Sequence, residues 1–271
     1  MPDDLLFDVP EPLTPVERLL TLAGEFTRHN DTIDLIRPTA DSPPDLEVHA
    51  GSANDLAHGS LTAVKSVYDQ QLYASADLID ALVRIKQLAY LSSEAARHLT
   101  EAQEALAAAP EHSGLPEGVS RQIQLAQELT ALATGAVVES AATIARETQR
   151  RRPAAATAAD GLNTAELAAL HAAARGHVVM AQSMGREYVH SRDHRVRIST
   201  LRSLESKGLI AREPGSAPPA FYGGPPQDRI GLTRGGTGAV AALLAAPAAA
   251  PTVSAPAAAP APTAPAPTRN R

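Results

Sequence analysis

Several residue types that would point to a particular chemistry are missing from this chain or scarce in it. There is no cysteine and no tryptophan, and the 271 residues include only three Phe and five Tyr. Without cysteine, disulfides and thiolate sites are excluded, which fits a reducing compartment. No apolar stretch approaches the length of a membrane span, and the acidic N-terminus, MPDDLLFDVPEP, has no apolar run typical of a secretion signal. We therefore expect a soluble, cytoplasmic protein with no membrane partner.

Alanine, leucine and valine supply most of the apolar residues. Ala and Leu lose little conformational freedom on entering a helix, so a core built from them favours a mainly α fold. At this length the chain can form one or two domains.

The net charge of −6 is unevenly distributed along the chain. Residues 1–152 hold 12 Lys and Arg against 23 Asp and Glu, a balance of −11, whereas residues 161–244 hold 10 against 6, a balance of +4. Such an asymmetry suggests two parts with different partners. A balance of +4 is modest for a nucleic-acid-binding part, so charge alone does not assign a function.

Residues 1–56 are predicted to form a short helix followed by an acidic linker. Thr14 can cap the helix, Pro15 suits its first position and Glu17 completes the spacing of a capping box. Residues 31–56 contain Pro38, Pro43 and Pro44, which disfavour a helix there.

Residues 57–152 are predicted to form a long antiparallel helical hairpin. Apolar residues recur at helical spacing over residues 60–109 and again over 119–150, and the glycines and proline of Glu111–Gly118 separate the two runs. Because two such helices alone bury little core, they would pack on the N-terminal helix or join two copies of the chain as a homodimer; a self-contained helical bundle fits the pattern equally well. The predicted inward stripe comprises Leu61, Val64, Tyr68, Leu78, Leu82, Ile85, Leu99, Val119, Ile123, Leu129, Leu132, Val137 and Ile144.

Two low-complexity segments bound the rest of the chain. Residues 153–160 are predicted to be a linker. Residues 246–271 consist almost entirely of Pro, Ala and Thr, a composition that cannot bury enough surface to fold, so we expect a disordered tail.

Between these segments, residues 161–245 begin with a helix that has clear signals at both ends. Asn163 can cap it, with Glu166 three residues later, and Gly176 can end it. The following residues could supply a second short helix over Met184–His190. Their β-branched and aromatic residues and the turn at Ser183–Gly185 favour a two-stranded hairpin slightly.

The order of elements after residue 197 is typical of a winged helix. Ile198–Arg212 has the pattern of a short helix capped by Ser199 or Thr200, a stop at Gly208 and the start of a strand. A wing tip over Pro214–Pro226, a second strand over Asp228–Thr233 and a closing helix would follow.

The run Ser199-Thr200-x-x-x-Leu204-Glu205-x-x-Gly208-Leu209-Ile210-x-Arg212, with the later Leu232-Thr233-x-x-Gly236, resembles the recognition helix and wing of MarR-like winged-helix regulators. The resemblance covers about residues 161–245. It implies a dimeric DNA-binding transcriptional regulator, often responsive to a small-molecule effector that the sequence does not identify. It would place Ser199, Thr200, Arg202 and Ser203 on the DNA, with Arg212 or Arg229 of the wing near the backbone or minor groove.

The residue chemistry predicts the same surface. Arg202 can donate two hydrogen bonds to a guanine edge, and serines can reach phosphates or bases. On an isolated helix this polar face would more simply be a solvated surface. The predicted double-stranded DNA contacts are Arg192, Arg195, Arg197, Ser199, Thr200, Arg202, Ser203, Ser206, Lys207, Arg212 and Arg229.

No catalytic or cofactor site can be assigned, so we expect a protein that is not an enzyme. His190 and His194 have the spacing of two metal ligands but lack a third, and Gly235–Gly238 lacks the Lys-Ser/Thr of a phosphate-binding loop. The alternative function is that of a helical interaction or scaffold protein whose winged domain binds protein.

Overall fold

Eight helices and four strands make up the parts of the chain that the structure, a computed structural model, describes. These parts are residues 12–36, 44–108, 117–151, 161–183, 185–221 and 223–246. The elements in chain order are α1 (Pro15–Asp34), α2 (Leu46–Tyr68), α3 (Ala76–Ala107), α4 (Glu117–Thr130), α5 (Ala133–Arg151), α6 (Thr164–Ala174), β1 (Val178–Ser183), β2 (Arg186–Ser191), α7 (Ile198–Ser206), β3 (Ile210–Ala217), β4 (Gln227–Leu232) and α8 (Arg234–Ala245). The protein is thus mainly helical, with a small four-stranded antiparallel sheet.

The first helix has the predicted cap but is longer than expected. Thr14 accepts a hydrogen bond from the Glu17 amide, and the Glu17 side chain accepts one from the Thr14 amide. Helix α1 continues to Asp34, and α2 already begins at Leu46. The acidic linker expected over 31–56 is therefore wrong at both ends, because Asp45 caps a new helix by accepting from the Glu47 amide. Residues 37–43, with two of the three prolines, lie outside the described residues.

Each of the two predicted long helices is divided into two. A turn over residues 69–75, in which Gln71 has a φ of 50°, separates α2 from α3, and Ser75 then caps α3. Residues 131 and 132 separate α4 from α5. Together with α1, this region therefore contains five helices, and the prediction of a two-helix hairpin is wrong. Residues 111–116 of the expected turn, residues 153–160 of the expected linker and residues 247–271 of the expected tail lie outside the described residues.

Most of the predicted apolar stripe is buried, but three of its residues are not. Leu61, Tyr68 and Leu132 are exposed, Leu132 to 85%. Leu132 lies in the break between α4 and α5, and Leu61 and Tyr68 lie beside the inward stripe of α2, to which Ser60, Val64 and Val67 belong. No helix in the described parts of the chain combines the length and the hydropathy that crossing a membrane requires.

The four strands form one sheet in the order β2-β1-β4-β3 with antiparallel pairing throughout. Strands β1 and β2 form a hairpin, as the β-forming residues indicated, and the alternative short helix is excluded. Strand β3 extends to Ala217, so the connection to β4 is shorter than the predicted loop over 214–226.

Glycines end both short helices of this region as predicted. Gly176 and Gly208 have φ values of 69° and 67°, a conformation that costs glycine little. After each glycine, the next amide donates to a carbonyl five residues earlier, from His177 to Ala172 and from Leu209 to Leu204, which is the hydrogen bonding of a Schellman C-cap.

One hydrophobic core joins the acidic and basic parts of the chain. It contains Leu19 and Phe26 of α1, Ile144 of α5, Leu170 of α6 and Val240 of α8, all buried. A second cluster fills the far end of the helical region between α1, α2, α3 and α4. The two parts therefore share their packing.

Candidate nucleic-acid interface

Helix α7 presents one polar face outward beside the sheet. Leu201 and Leu204 are buried, whereas Ser199, Arg202 and Ser206 are exposed. The helix begins at Ile198, before both of the predicted caps, Ser199 and Thr200, and its N-cap, Arg197, makes no side-chain capping bond. Ser199 and Thr200 thus lie in the first turn of the helix, with their positions on α7 otherwise as predicted.

Two of the predicted DNA contacts instead dock α7 against α6. The buried carboxylate of Glu166 accepts hydrogen bonds from Ser203 Oγ at 2.7 Å and from Lys207 Nζ at 2.8 Å, and its other oxygen accepts from the Asn163 amide at 2.9 Å. The bonds from Lys207 and Ser203 hold the pKa of Glu166 at about 2, well below its ordinary value. Ser203 and Lys207 therefore orient α7, and the outward face consists of Ser199, Arg202 and Ser206.

A second carboxylate holds the arginine that the sequence assigns to base recognition. Glu187 of β2 accepts from Arg202 Nη2 at 3.0 Å through one oxygen and from Arg212 Nη1 of β3 at 3.0 Å through the other. Hydrogen bonds from Arg202 and Arg212 lower the pKa of Glu187. The Arg202 side chain remains 67% exposed, so most of its guanidinium faces solvent. Arg212 is less exposed, and it is held within the sheet.

Four arginines in β2 and in the segment that leads into α7 have no ion-pair or hydrogen-bond partner for their side chains among the described residues. All four are exposed. Arg192, Arg195 and Arg197 were predicted as DNA contacts, and they lie in the segment that joins β2 to α7. The fourth, Arg186, was not predicted, although the alternating exposure of β2 places it on the exposed side of its strand. These four unpaired side chains therefore all lie within residues 186–197.

Arg229 has a structural role in place of the predicted wing contact. Its Nε donates to Asp31 Oδ2 at 2.6 Å, its Nη2 donates to Asp31 Oδ1, and its Nη1 donates to the Gly176 carbonyl at 2.6 Å. Its side chain is 13% exposed. Arg229 is therefore not part of the candidate surface, because Asp31 of α1 holds its guanidinium against the acidic part of the chain.

A cleft of about 1230 Å³ lies beside the unpaired arginines, between the sheet and helices α1 and α5. His190, Arg192, His194 and Arg195 contribute to its lining. In the described parts of the chain, no group of three or more His, Asp and Glu side chains is arranged to hold a metal ion.

The contacts of the sheet show which of its faces is covered by α1 and which side of the region is exposed to solvent. The residues of β3 and β4 that point away from α7 meet α1, through the Arg229–Asp31 pair and through an Arg28–Glu213 pair at 3.1 Å. Helix α7 packs on α6, β2 and β3, so its outward face is left uncovered by the acidic helices.

No family model, curated protein sequence or solved structure matches the chain. The function is therefore inferred from the geometry and charge of this surface.

Proposed function

We propose that the protein is a transcriptional regulator that binds double-stranded DNA through residues 161–245, with a winged-helix arrangement in which β2 replaces the usual second helix. The order α6, β1, α7, β3, β4 and the pairing of β4 with both β1 and β3 support this assignment. In such domains the helix before the wing enters the major groove. Helix α7 directly precedes β3 and β4, the strands of the proposed wing.

The observation that carries the proposal is the group of unpaired, exposed arginines in residues 186–197, the segment that leads directly into α7. An arginine that already donates to an internal carboxylate is partly neutralised and gains less from a phosphate, whereas an unpaired, exposed arginine can replace counterions on a phosphate at little cost. Arg186, Arg192, Arg195 and Arg197 therefore bind phosphates, and Arg202 contacts a base edge from α7.

The full-length protein should retard a random-sequence duplex in a gel-shift assay with a steep salt dependence. If four arginines each neutralise one phosphate, the logarithm of the association constant should fall with the logarithm of salt concentration with a slope of about −3.6. Titrations between 50 and 200 mM salt measure this slope. An absence of retardation at the lowest salt would contradict the proposal and favour the scaffold function.

We also propose that the N-terminal helices join two copies of the chain. Helices α2 and α3 expose Tyr68, Ile79, Val83 and Tyr90, of which Tyr68, Ile79 and Val83 line one groove of about 270 Å³. Exposed apolar residues in a contiguous group are typical of an interface. In such a dimer, each copy would contact one of the two half-sites of the DNA site.

Sedimentation equilibrium should give twice the 28.2 kDa chain mass. Replacement of both Ile79 and Val83 by Lys should return the protein to a monomer, because buried like charges would face each other across the interface. The matched control adds the same two positive charges on α4 by replacing Ser120 and Gln124, which are exposed there, by Lys. A wild-type monomer at micromolar concentration would contradict the dimer.

A further inference from the structure

Glu187 is the one acidic side chain of the described residues that contacts Arg202, and its position is unusual for a DNA-binding surface. A carboxylate next to phosphates repels them, so it lowers affinity for every sequence. Yet Glu187 lies between Arg202 of α7 and Arg212 of β3, with both bonds at 3.0 Å. A contribution to affinity for DNA therefore does not explain the position of Glu187.

We propose that Glu187 is a specificity-determining residue that positions Arg202 to recognise a guanine. This inference rests on the proposed DNA-binding function. A free arginine has several rotatable bonds and can bind any nearby phosphate. One hydrogen bond to Glu187 uses one of the five N–H donors of the guanidinium and limits the orientations that its plane can adopt. The other four donors stay free for a two-bond contact to guanine O6 and N7.

The same carboxylate disfavours the wrong targets. Because it neutralises Arg202 and Arg212, a backbone phosphate gains less from either arginine, and binding to unrelated sequences is weakened. Specificity is a difference between two affinities, and a group that lowers the non-specific one raises the ratio. Glu187 therefore raises specificity in two ways: it favours the contact with the preferred guanine, and it weakens binding to unrelated sequences.

Glu187 also links the base-contacting helix to the wing strands. Arg212 Nη2 donates to Met180 Sδ of β1 at 3.2 Å, and Arg212 Nη1 lies 3.8 Å from Asp228 Oδ2 of β4. The line of contacts from α7 through β2 to β3 and β4 restrains Arg202 relative to the whole sheet. Such support from neighbouring groups is what holds a recognition side chain in a defined geometry.

The test is an in-vitro selection from a pool of randomised duplexes with full-length wild type, Glu187→Ala, Glu187→Gln and Glu205→Ala. Glu205 is also exposed on the surface of α7 and has no described side-chain partner, so Glu205→Ala removes the same charge without releasing Arg202. Sequencing of the bound pools gives the base preference at each position, and gel shifts on the unselected pool give the non-specific affinity.

Wild type should enrich a site with a preferred guanine. Glu187→Ala should bind the unselected pool more tightly, while its preference for that guanine falls roughly 5- to 150-fold, the range that one good two-bond contact supplies. Glu187→Gln, which can still accept one hydrogen bond, should keep part of the preference, and Glu205→Ala should keep all of it.

Two results would overturn the inference while leaving DNA binding intact: an unchanged guanine preference in Glu187→Ala, or an equal loss in Glu187→Ala and Glu205→Ala. Failure of the wild type to bind any duplex would overturn the proposed function and this inference with it. The wild-type arm and the variant arms thus separate the two failures.

Discussion

Replacement of Arg192, Arg195 and Arg197 by alanine should weaken DNA binding by roughly two to three orders of magnitude at 0.1 M salt, because each lost phosphate contact removes about 0.9 from the log–log salt slope. All three side chains are exposed and none has a partner among the described residues. The fold should therefore be unaffected, and the melting temperature should stay within about 2 °C of wild type, the usual outcome for a surface change away from structural contacts. Fluorescence anisotropy with a labelled duplex between 50 and 200 mM salt measures both the affinity and the slope.

The control variant replaces Lys65, Arg121 and Arg146 on the helical part by alanine. It changes the net charge by the same amount, and these residues are also exposed. Since they lie on α2, α4 and α5, away from α7, the control should change the slope little. If both triple variants weakened binding equally, long-range charge rather than direct contact would explain the effect, and residues 192–197 would lose their assigned role.

Asp31→Asn should destabilise the protein by about 3–5 kcal/mol, because it leaves the charge of Arg229 buried without its partner. Asp31 and Arg229 side chains are 6% and 13% exposed, and both carboxylate oxygens accept from the guanidinium. The Gly176 carbonyl and the one remaining side-chain oxygen of Asn can still accept from Arg229, but a neutral amide cannot replace the lost charge interaction. Urea unfolding with linear extrapolation gives the change in the free energy of unfolding.

A second ion pair across the same interface supplies the control. Arg28 and Glu213 are 55% and 34% exposed, so Glu213→Gln should cost about 0–1 kcal/mol, as surface pairs do. The double variant Asp31→Leu with Arg229→Met should recover much of the loss, because well-packed apolar groups can replace a buried pair. Equal costs for Asp31→Asn and Glu213→Gln would show that the Arg229 charge is not effectively buried.

The local signals in the sequence were sufficient for the elements of the C-terminal region. Asn163 with Glu166, and the glycines at 176 and 208, act within a few residues of themselves, so the helix boundaries that they set can be predicted without the rest of the fold. The alternating β-formers likewise indicated the β1–β2 hairpin. The longer helical patterns were less informative, because a break such as the turn at 69–75 leaves apolar residues recurring on both sides.

The candidate site could be predicted only in part, since a sequence does not show which charges neutralise each other. Arg202 and Arg195 were assigned alike from residue type, but one is held by Glu187 and the other is unpaired. Glu166 was identified as a helix-capping residue, and its bonds to Ser203 and Lys207, 37 and 41 residues away, were not apparent. Glu187 was not among the predicted site residues, because a carboxylate does not by itself indicate nucleic-acid binding.

The sequence by itself determined that the protein is mainly helical, that its charge is divided between an acidic and a basic part, where α6 begins, and where α6 and α7 end, since composition and capping are local properties. Tertiary structure alone decided that the two parts share one core and that Arg229 pairs with Asp31, 198 positions away in the sequence. It also decided that the arginines of residues 186–197 have no partner among the described residues. Such pairings depend on which side chains the packed chain brings within about 3 Å of each other, and hydrogen bonds and ion pairs act at that range.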